Sequence, residues 1–123
     1  MTKRVLIIDD DEDIQAVTRI ALEKFAGWQA VQAGSGPAGL AIAQSQPLDA
    51  ILLDVSMPDM DGLSVLAALQ AHPTTQAIPV ILLTAKVLPS DRRQFAHLSI
   101  AGMIAKPFNP LELHHQMIAL LHW

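Results

Sequence analysis

Cysteine is missing from all 123 residues, so neither a disulfide framework nor a thiolate metal site can form, and the chain suits a reducing compartment. Positive charge is scarce. Eight Lys and Arg against twelve Asp and Glu leave a formal net charge of −4. Proteins that grip nucleic acid through their own surface neutralise phosphates with clustered Lys and Arg, so direct nucleic-acid binding is not expected here. Long hydrophobic runs are also absent. After Met1-Thr2-Lys3-Arg4 the apolar stretch Val5 to Ile8 ends at three acids, too soon for a signal peptide or a membrane span. No linker, low-complexity tract or internal repeat divides the chain. What remains is one globular domain over 1–123, expected in the cytoplasm with no membrane part. Its 51% apolar and 16% charged residues suffice for a core.

Apolar runs at Val5 to Ile8, Ala50 to Leu53, Val80 to Leu83 and Met103 to Ala105 read as strands, with a weaker one around Trp28 to Ala33. The strongest do not alternate apolar with polar, the pattern of parallel strands covered by helices on both faces. Stretches rich in Ala, Leu, Ile and Gln at about 12–26, 36–45, 62–71, 90–98 and 109–122 read as helices. The last has the fullest start signal, with Asn109 as N-cap, Pro110 at the first helical position and Glu112 placed to answer the cap. Prolines after Gln46, His72, Ile78 and Leu88 fall near the boundaries. Strand and helix alternate five times, the pattern of a doubly wound α/β sheet. Such sheets bind ligands beyond the carboxyl ends of their strands.

The residues at those ends are Asp9-Asp10-Asp11, Asp54, Thr84 and Lys106. Carboxylates brought together repel one another, and a divalent cation relieves the repulsion. All-oxygen ligation with few carboxylates suits magnesium. A lysine and a hydroxyl beside that cation suit a ligand with several anionic oxygens, such as a phosphoryl group. Carboxylate nucleophile, metal, ammonium and hydroxyl donor together form a sufficient set for phosphoryl transfer, with Asp54 the best nucleophile candidate.

From end to end the chain resembles the bacterial response-regulator receivers of two-component signalling, in the style of the single-domain chemotaxis receivers. The resemblance rests on Val5-Leu6-Ile7-Ile8-Asp9-Asp10-Asp11, on Leu53-Asp54-Val55-Ser56-Met57-Pro58-Asp59-Met60-Asp61-Gly62, on Pro79-Val80-Ile81-Leu82-Leu83-Thr84-Ala85 and on Ala105-Lys106-Pro107-Phe108. It implies a flavodoxin-like (βα)5 three-layer sandwich with a parallel five-stranded sheet in the order 2-1-3-4-5. It further implies that Asp54 accepts a phosphoryl group from the histidine of a sensor kinase or of a histidine phosphotransfer protein. Mg2+ would be held by Asp10, Asp54 and the Ser56 carbonyl, with Asp9 acting through a metal-bound water. Thr84 and Lys106 would contact phosphoryl oxygens, and Pro107 would follow Lys106 through a cis bond. Output would pass to a downstream protein, and the face of the fourth helix, fifth strand and fifth helix would offer a homodimer surface. One position departs from the pattern: receivers commonly carry Tyr or Phe three residues before the lysine, and here that residue is Met103. A flexible Met lacks the two packing states of a rigid ring. Ser56 and Lys86, two residues beyond Asp54 and Thr84, are expected to affect phosphoryl lifetime.

Plainer readings compete at several sites. Asp11, Glu12 and Asp13 suit a helix N-terminus through the macrodipole. Gly34-Ser35-Gly36-Pro37-Ala38-Gly39 matches a dinucleotide fingerprint, yet Pro37 offers no amide, so a glycine turn with Ser35 near the N-cap is expected instead. His114 and His115 are expected on different sides of their helix, and Arg92-Arg93 reads as a solvated pair. Among whole-protein rivals, a haloacid-dehalogenase-type phosphohydrolase would use Asp9 as nucleophile and Asp11 as acid. It leaves the Met57 to Gly62 loop unexplained and would need a cap domain. A flavodoxin-like flavin binder would need its phosphate loop where this chain is anionic.

Overall fold

The structure, a computed structural model, describes residues 2–55, 62–85 and 98–123. The expected helix at 90–98, the Met57 to Asp61 loop, Ser56, Lys86, Leu88-Pro89 and Arg92-Arg93 lie wholly or almost wholly outside them. Five parallel strands form one sheet in the order β2-β1-β3-β4-β5, as the resemblance implies. They are β1 (Arg4–Ile8), β2 (Gln29–Ala33), β3 (Ala50–Asp54), β4 (Val80–Thr84) and β5 (Gly102–Ala105). Among the described residues the α-helices are α1 (Glu12–Ile20), α2 (Gly36–Ser45), α3 (Gly62–Ala71) and the C-terminal α4 (Leu113–Leu121).

Every residue of β3 and β4 is buried, whereas the edge strands β2 and β5 are partly open. That explains the unbroken apolar runs in the centre and the weaker signal at β2. Alternate side chains feed two cores. Leu6, Ile8, Ile51, Leu53 and Leu82 pack with Val65, Leu66 and Leu69 of α3 on one face. Val5, Ile7, Leu52, Ile81 and Leu83 pack with Ala21, Leu22, Leu113 and Met117 on the other. Removing side chains of this size from water stabilises the fold by roughly 1.5–3 kcal/mol each.

Local chemistry sets the helix starts. Asp11 caps α1 by accepting from the Asp13 and Ile14 N–H groups, with Glu12 and Asp13 in the first turn. Ser35 caps α2 by accepting from Ala38, so the glycine-rich segment is a helix start as expected. Two expectations are corrected. The stretch 12–26 is not uniformly α-helical, because Ala21–Phe25 winds as a wider π-helical turn that buries Ala21 and Leu22 together. Gly27 then takes φ +71° to turn the chain into β2, a conformation few side chains tolerate. The C-terminal helix begins later than its cap signal. Asn109 Oδ1 does accept from Leu111, but the Glu112 N–H bonds back to the Asn109 carbonyl. This closes a tight turn, and no side-chain hydrogen bond from Glu112 caps α4.

Candidate functional site

Strand register brings the sequence-distant acids to one edge. Ile8 pairs with Leu53, so Asp9 just past β1 lies beside Asp54 at the end of β3. Thr84 pairs with Ala105, placing Lys106 next to the end of β4. Asp54 and Thr84 are the last residues of their strands rather than the first beyond them. Backbone bonds from Asp9 N to Ala33 O, Val55 N to Leu83 O and Lys106 N to Thr84 O hold the edge together.

Asp9, Asp54 and Thr84 are buried, and Asp10 is exposed. The Lys106 ammonium spans both buried carboxylates, 3.0 Å from Asp9 Oδ2 and 3.3 Å from Asp54 Oδ1. Asp9 Oδ2 is cut off from water, so that ammonium is what balances it. Asp9 Oδ1 accepts from the Asp11 N–H at 2.9 Å. Burial pushes the Asp9 carboxyl above its ordinary pKa. The Asp11 N–H and Lys106 pull it down without cancelling the shift, while Asp54 adds to the rise. Burial works against the Lys106 ammonium, but Asp9 and then Asp54 outweigh it and hold its pKa above the ordinary lysine value. The Lys106–Pro107 bond is cis, as the resemblance implies.

One oxygen from each of Asp9, Asp10 and Asp54 lies within 4.8 Å of the others. Hard oxygen donors at that spacing fit magnesium. Asp9, Asp10, Asp54 and Lys106 therefore come together, Thr84 ends the strand between those that carry Asp54 and lead to Lys106, and Ser56 lies outside the described residues. Sequence reasoning missed Gln15, whose Nε2 donates to the carbonyls of Asp9 and Ala33 and ties α1 to the ends of β1 and β2. Its signal was present, since Gln15 sits one helical turn beyond the cap Asp11. Gly62 is a second such residue. A Cβ there would lie 2.4 Å from Val55 Cα and 2.6 Å from the Asp54 carbonyl, so only glycine lets α3 start this close to the acid.

The family model of the response regulator receiver domain matches residues 5–118. The chain belongs to the response regulator receiver family. This receiver is 38% identical over 95% of its length to the probable transcriptional regulatory protein TcrX of Mycobacterium tuberculosis, and 36% identical over 98% to the response regulator PleD of Caulobacter vibrioides. It spans 49% of the former and 26% of the latter. Its fold is similar to that of the chemotaxis response regulator CheY4 of Vibrio cholerae, with a TM-score of 0.90 at 28% identity over 98% of this chain and 99% of the other. It is likewise similar to the receiver domain of the sensor histidine kinase PA1611 of Pseudomonas aeruginosa, described with a magnesium ion coordinated in its active site cleft. There the TM-score is 0.86 at 27% identity, with both chains fully covered. Receivers of this family serve two-component signalling, and the dehalogenase-type reading with Asp9 as nucleophile finds no support. Among the described residues no helix is long and apolar enough to cross a membrane.

The receiver also departs from its sequence reading at one further place. The rings of His114 and His115 do not part but lie 4.0 Å apart at 35°. Met103, where an aromatic residue is usual, is half-buried against the core that includes α3.

Proposed function

We propose that Asp54 is the phosphoacceptor of this receiver and that the chain is a signalling component rather than a turnover enzyme. The observation that carries this reading is the Lys106 ammonium bridging buried Asp9 and Asp54 at one strand edge. Asp54, at the tip of β3 beside that cation, is placed to attack phosphorus. Its carboxylate oxygen forms the new P–O bond while the P–N bond to the donor histidine breaks, and the leaving imidazole keeps the electron pair. Lys106 neutralises negative charge on the transferred group, and the Thr84 hydroxyl donates to one of its oxygens. Asp10 and Asp54, together with the Ser56 carbonyl, would hold Mg2+, with Asp9 assisting through a metal-bound water. Bound there, the ion supplies electrostatic stabilisation of the transferring phosphoryl oxygens. Asp9 keeps Lys106 in position and completes the anionic pocket. The phosphodonor is the histidine of a sensor kinase or of a phosphotransfer protein, and the output is binding of a downstream protein in the cytoplasm.

Incubation with magnesium and acetyl phosphate, followed by intact-mass measurement, tests this. The wild type gains one phosphoryl mass and Asp54→Asn does not. Equal gain by the variant, or catalytic turnover of phosphate esters that Asp9→Asn abolishes, refutes the assignment.

A further inference from the structure

Gln15 is half-buried on α1 and reaches back towards the sheet edge, as long side chains on a helix lean towards its N-terminus. Its Nε2 donates to two strand-end carbonyls, that of Asp9 just past β1 and, at 3.0 Å, that of Ala33 at the end of β2. Carbonyls only accept, so the nitrogen of the carboxamide has to face them, and its NH2 group supplies both donors. The Ala33 carbonyl also accepts the Asp9 N–H at 3.1 Å. Asp9 is therefore held on both sides, its N–H by Ala33 and its carbonyl by Gln15.

The carbonyl that Gln15 takes belongs to the peptide joining Asp9 to Asp10. Beyond that peptide the chain is fixed again, since the Asp11 N–H bonds Asp9 Oδ1 at 2.9 Å and the Asp11 side chain caps α1. Asp10 sits exposed between these anchors, yet one of its oxygens lies within 4.8 Å of an oxygen from each of the buried Asp9 and Asp54. Like charges that close drive one another apart, and of the three acids Asp10 is the one with solvent to move into. Backbone ties resist that drift. Without the Gln15 amide the start of α1, and Asp10 with it, loses its tie to the ends of β1 and β2, and two carbonyls lose a donor.

We infer that Gln15 is a positioning residue for the cation: by bonding the Asp9 and Ala33 carbonyls it keeps the Asp10 carboxylate gathered with those of Asp9 and Asp54, so a divalent ion meets ligands already in place. Gln15 itself touches neither the ion nor the phosphoryl group. This role rests on the reading of the edge as a magnesium-dependent phosphoacceptor site. Its effect falls on how much magnesium the site requires and not on the transfer step once the ion is bound. Removing a group that orients metal ligands from behind typically costs about 10–100-fold in affinity.

Titrating the whole chain with Mg2+ and following backbone amide NMR shifts reads affinity without any phosphodonor. Gln15→Leu should raise the Mg2+ dissociation constant about tenfold. Gln15→Glu keeps the length but sets an acceptor against two carbonyls, so it should also weaken binding, whereas Gln15→Lys offers them N–H donors and should stay within about threefold of the wild type. Coulomb attraction alone ranks this charged pair the other way, with Glu tighter than Lys. With acetyl phosphate, Gln15→Leu should need about tenfold more Mg2+ for half-maximal phosphoryl-mass gain, yet reach a rate within about twofold of the wild type at saturating Mg2+. Circular dichroism verifies folding, and if Gln15→Leu does not fold, the order of the Glu and Lys variants decides. An unchanged dissociation constant in Gln15→Leu, a Glu variant tighter than the Lys variant, or a wild type that takes up no Mg2+ each overturns the inference. So does a lower maximal rate at an unchanged magnesium requirement, the mark of a merely structural role. A wild type that binds Mg2+ more tightly than Gln15→Leu but gains no phosphoryl mass refutes only the proposed function. Normal phosphorylation with the same magnesium requirement in every variant refutes only the positioning role.

Discussion

Replacing Lys106 with Met keeps the length of the side chain and removes the cation shared by two buried acids. The Lys106 side chain is 16% exposed, and those of Asp9 and Asp54 are 0% and 4% exposed. At an effective dielectric of about 20, charges some 3 Å apart attract by roughly 5 kcal/mol per pair before desolvation is subtracted. Desolvation of the ammonium removes part of this, and breaking a buried pair costs about 3–5 kcal/mol. We therefore expect Lys106→Met to lose about 3 kcal/mol at neutral pH without magnesium, read from urea unfolding. The pH dependence has a definite sign. The raised pKa of Lys106 means its contribution is fully present below the ordinary lysine value of 10.5 and is lost as pH rises through the folded value. Asp9, raised above 3.8 by burial, is protonated more readily in the folded state, so its penalty appears as pH rises through its folded value. Without Lys106 that penalty grows. The difference between variant and wild type should shrink as pH falls towards 4, and also when millimolar magnesium supplies the missing positive charge. A loss below about 1 kcal/mol, or a loss unchanged by acid and by magnesium, would refute the argument that Lys106 holds the two carboxylates together.

Gly62→Ala should cost about 2–4 kcal/mol, because the new Cβ meets backbone of Val55 and Asp54 that has no flexible end to yield. The same shift at Asp54 should slow phosphoryl-mass gain from acetyl phosphate by about tenfold or more, and unchanged rate and stability would sink this account. Burial, with help from neighbouring His115, lowers the pKa of His114 below 6.5. Wild-type stability should therefore fall as pH drops below 6.5, and His114→Gln should flatten that slope in thermal melts. Leu52→Ala, in the fully buried β3, should lose about 2–5 kcal/mol by chemical denaturation. Phosphorylation of whatever fraction remains folded should survive, since Leu52 faces the core away from the carboxylate edge.

Much of the candidate site was legible in the chain because it is punctuation. Asp9, Asp54, Thr84 and Lys106 each end or follow a short apolar run, and a parallel sheet brings such ends to one edge. Caps were equally legible, since Asp11 and Ser35 act on N–H groups only two or three residues away. Less legible was anything set by competition between packing and local preference. The π-helical turn at Ala21–Phe25 carries no breaker residue, and burial of Ala21 and Leu22 accompanies its wider winding. Asn109 was expected to cap the last helix, yet its side chain accepts within a tight turn and α4 begins only at Leu113.

By itself the sequence determined the strand and helix periods, the absence of cysteine chemistry and the residue types at the strand tips, because periodicity and composition are local properties. Only the tertiary structure decided how those tips divide their work. Asp9 is sealed under Lys106 while its neighbour Asp10 faces solvent, and Gln15 and Gly62 fix the backbone around them. That division depends on the pairing of Ile8 with Leu53 and of Thr84 with Ala105. Register between strands some twenty to fifty residues apart is a property of the packed sheet, and no stretch of the chain read alone contains it.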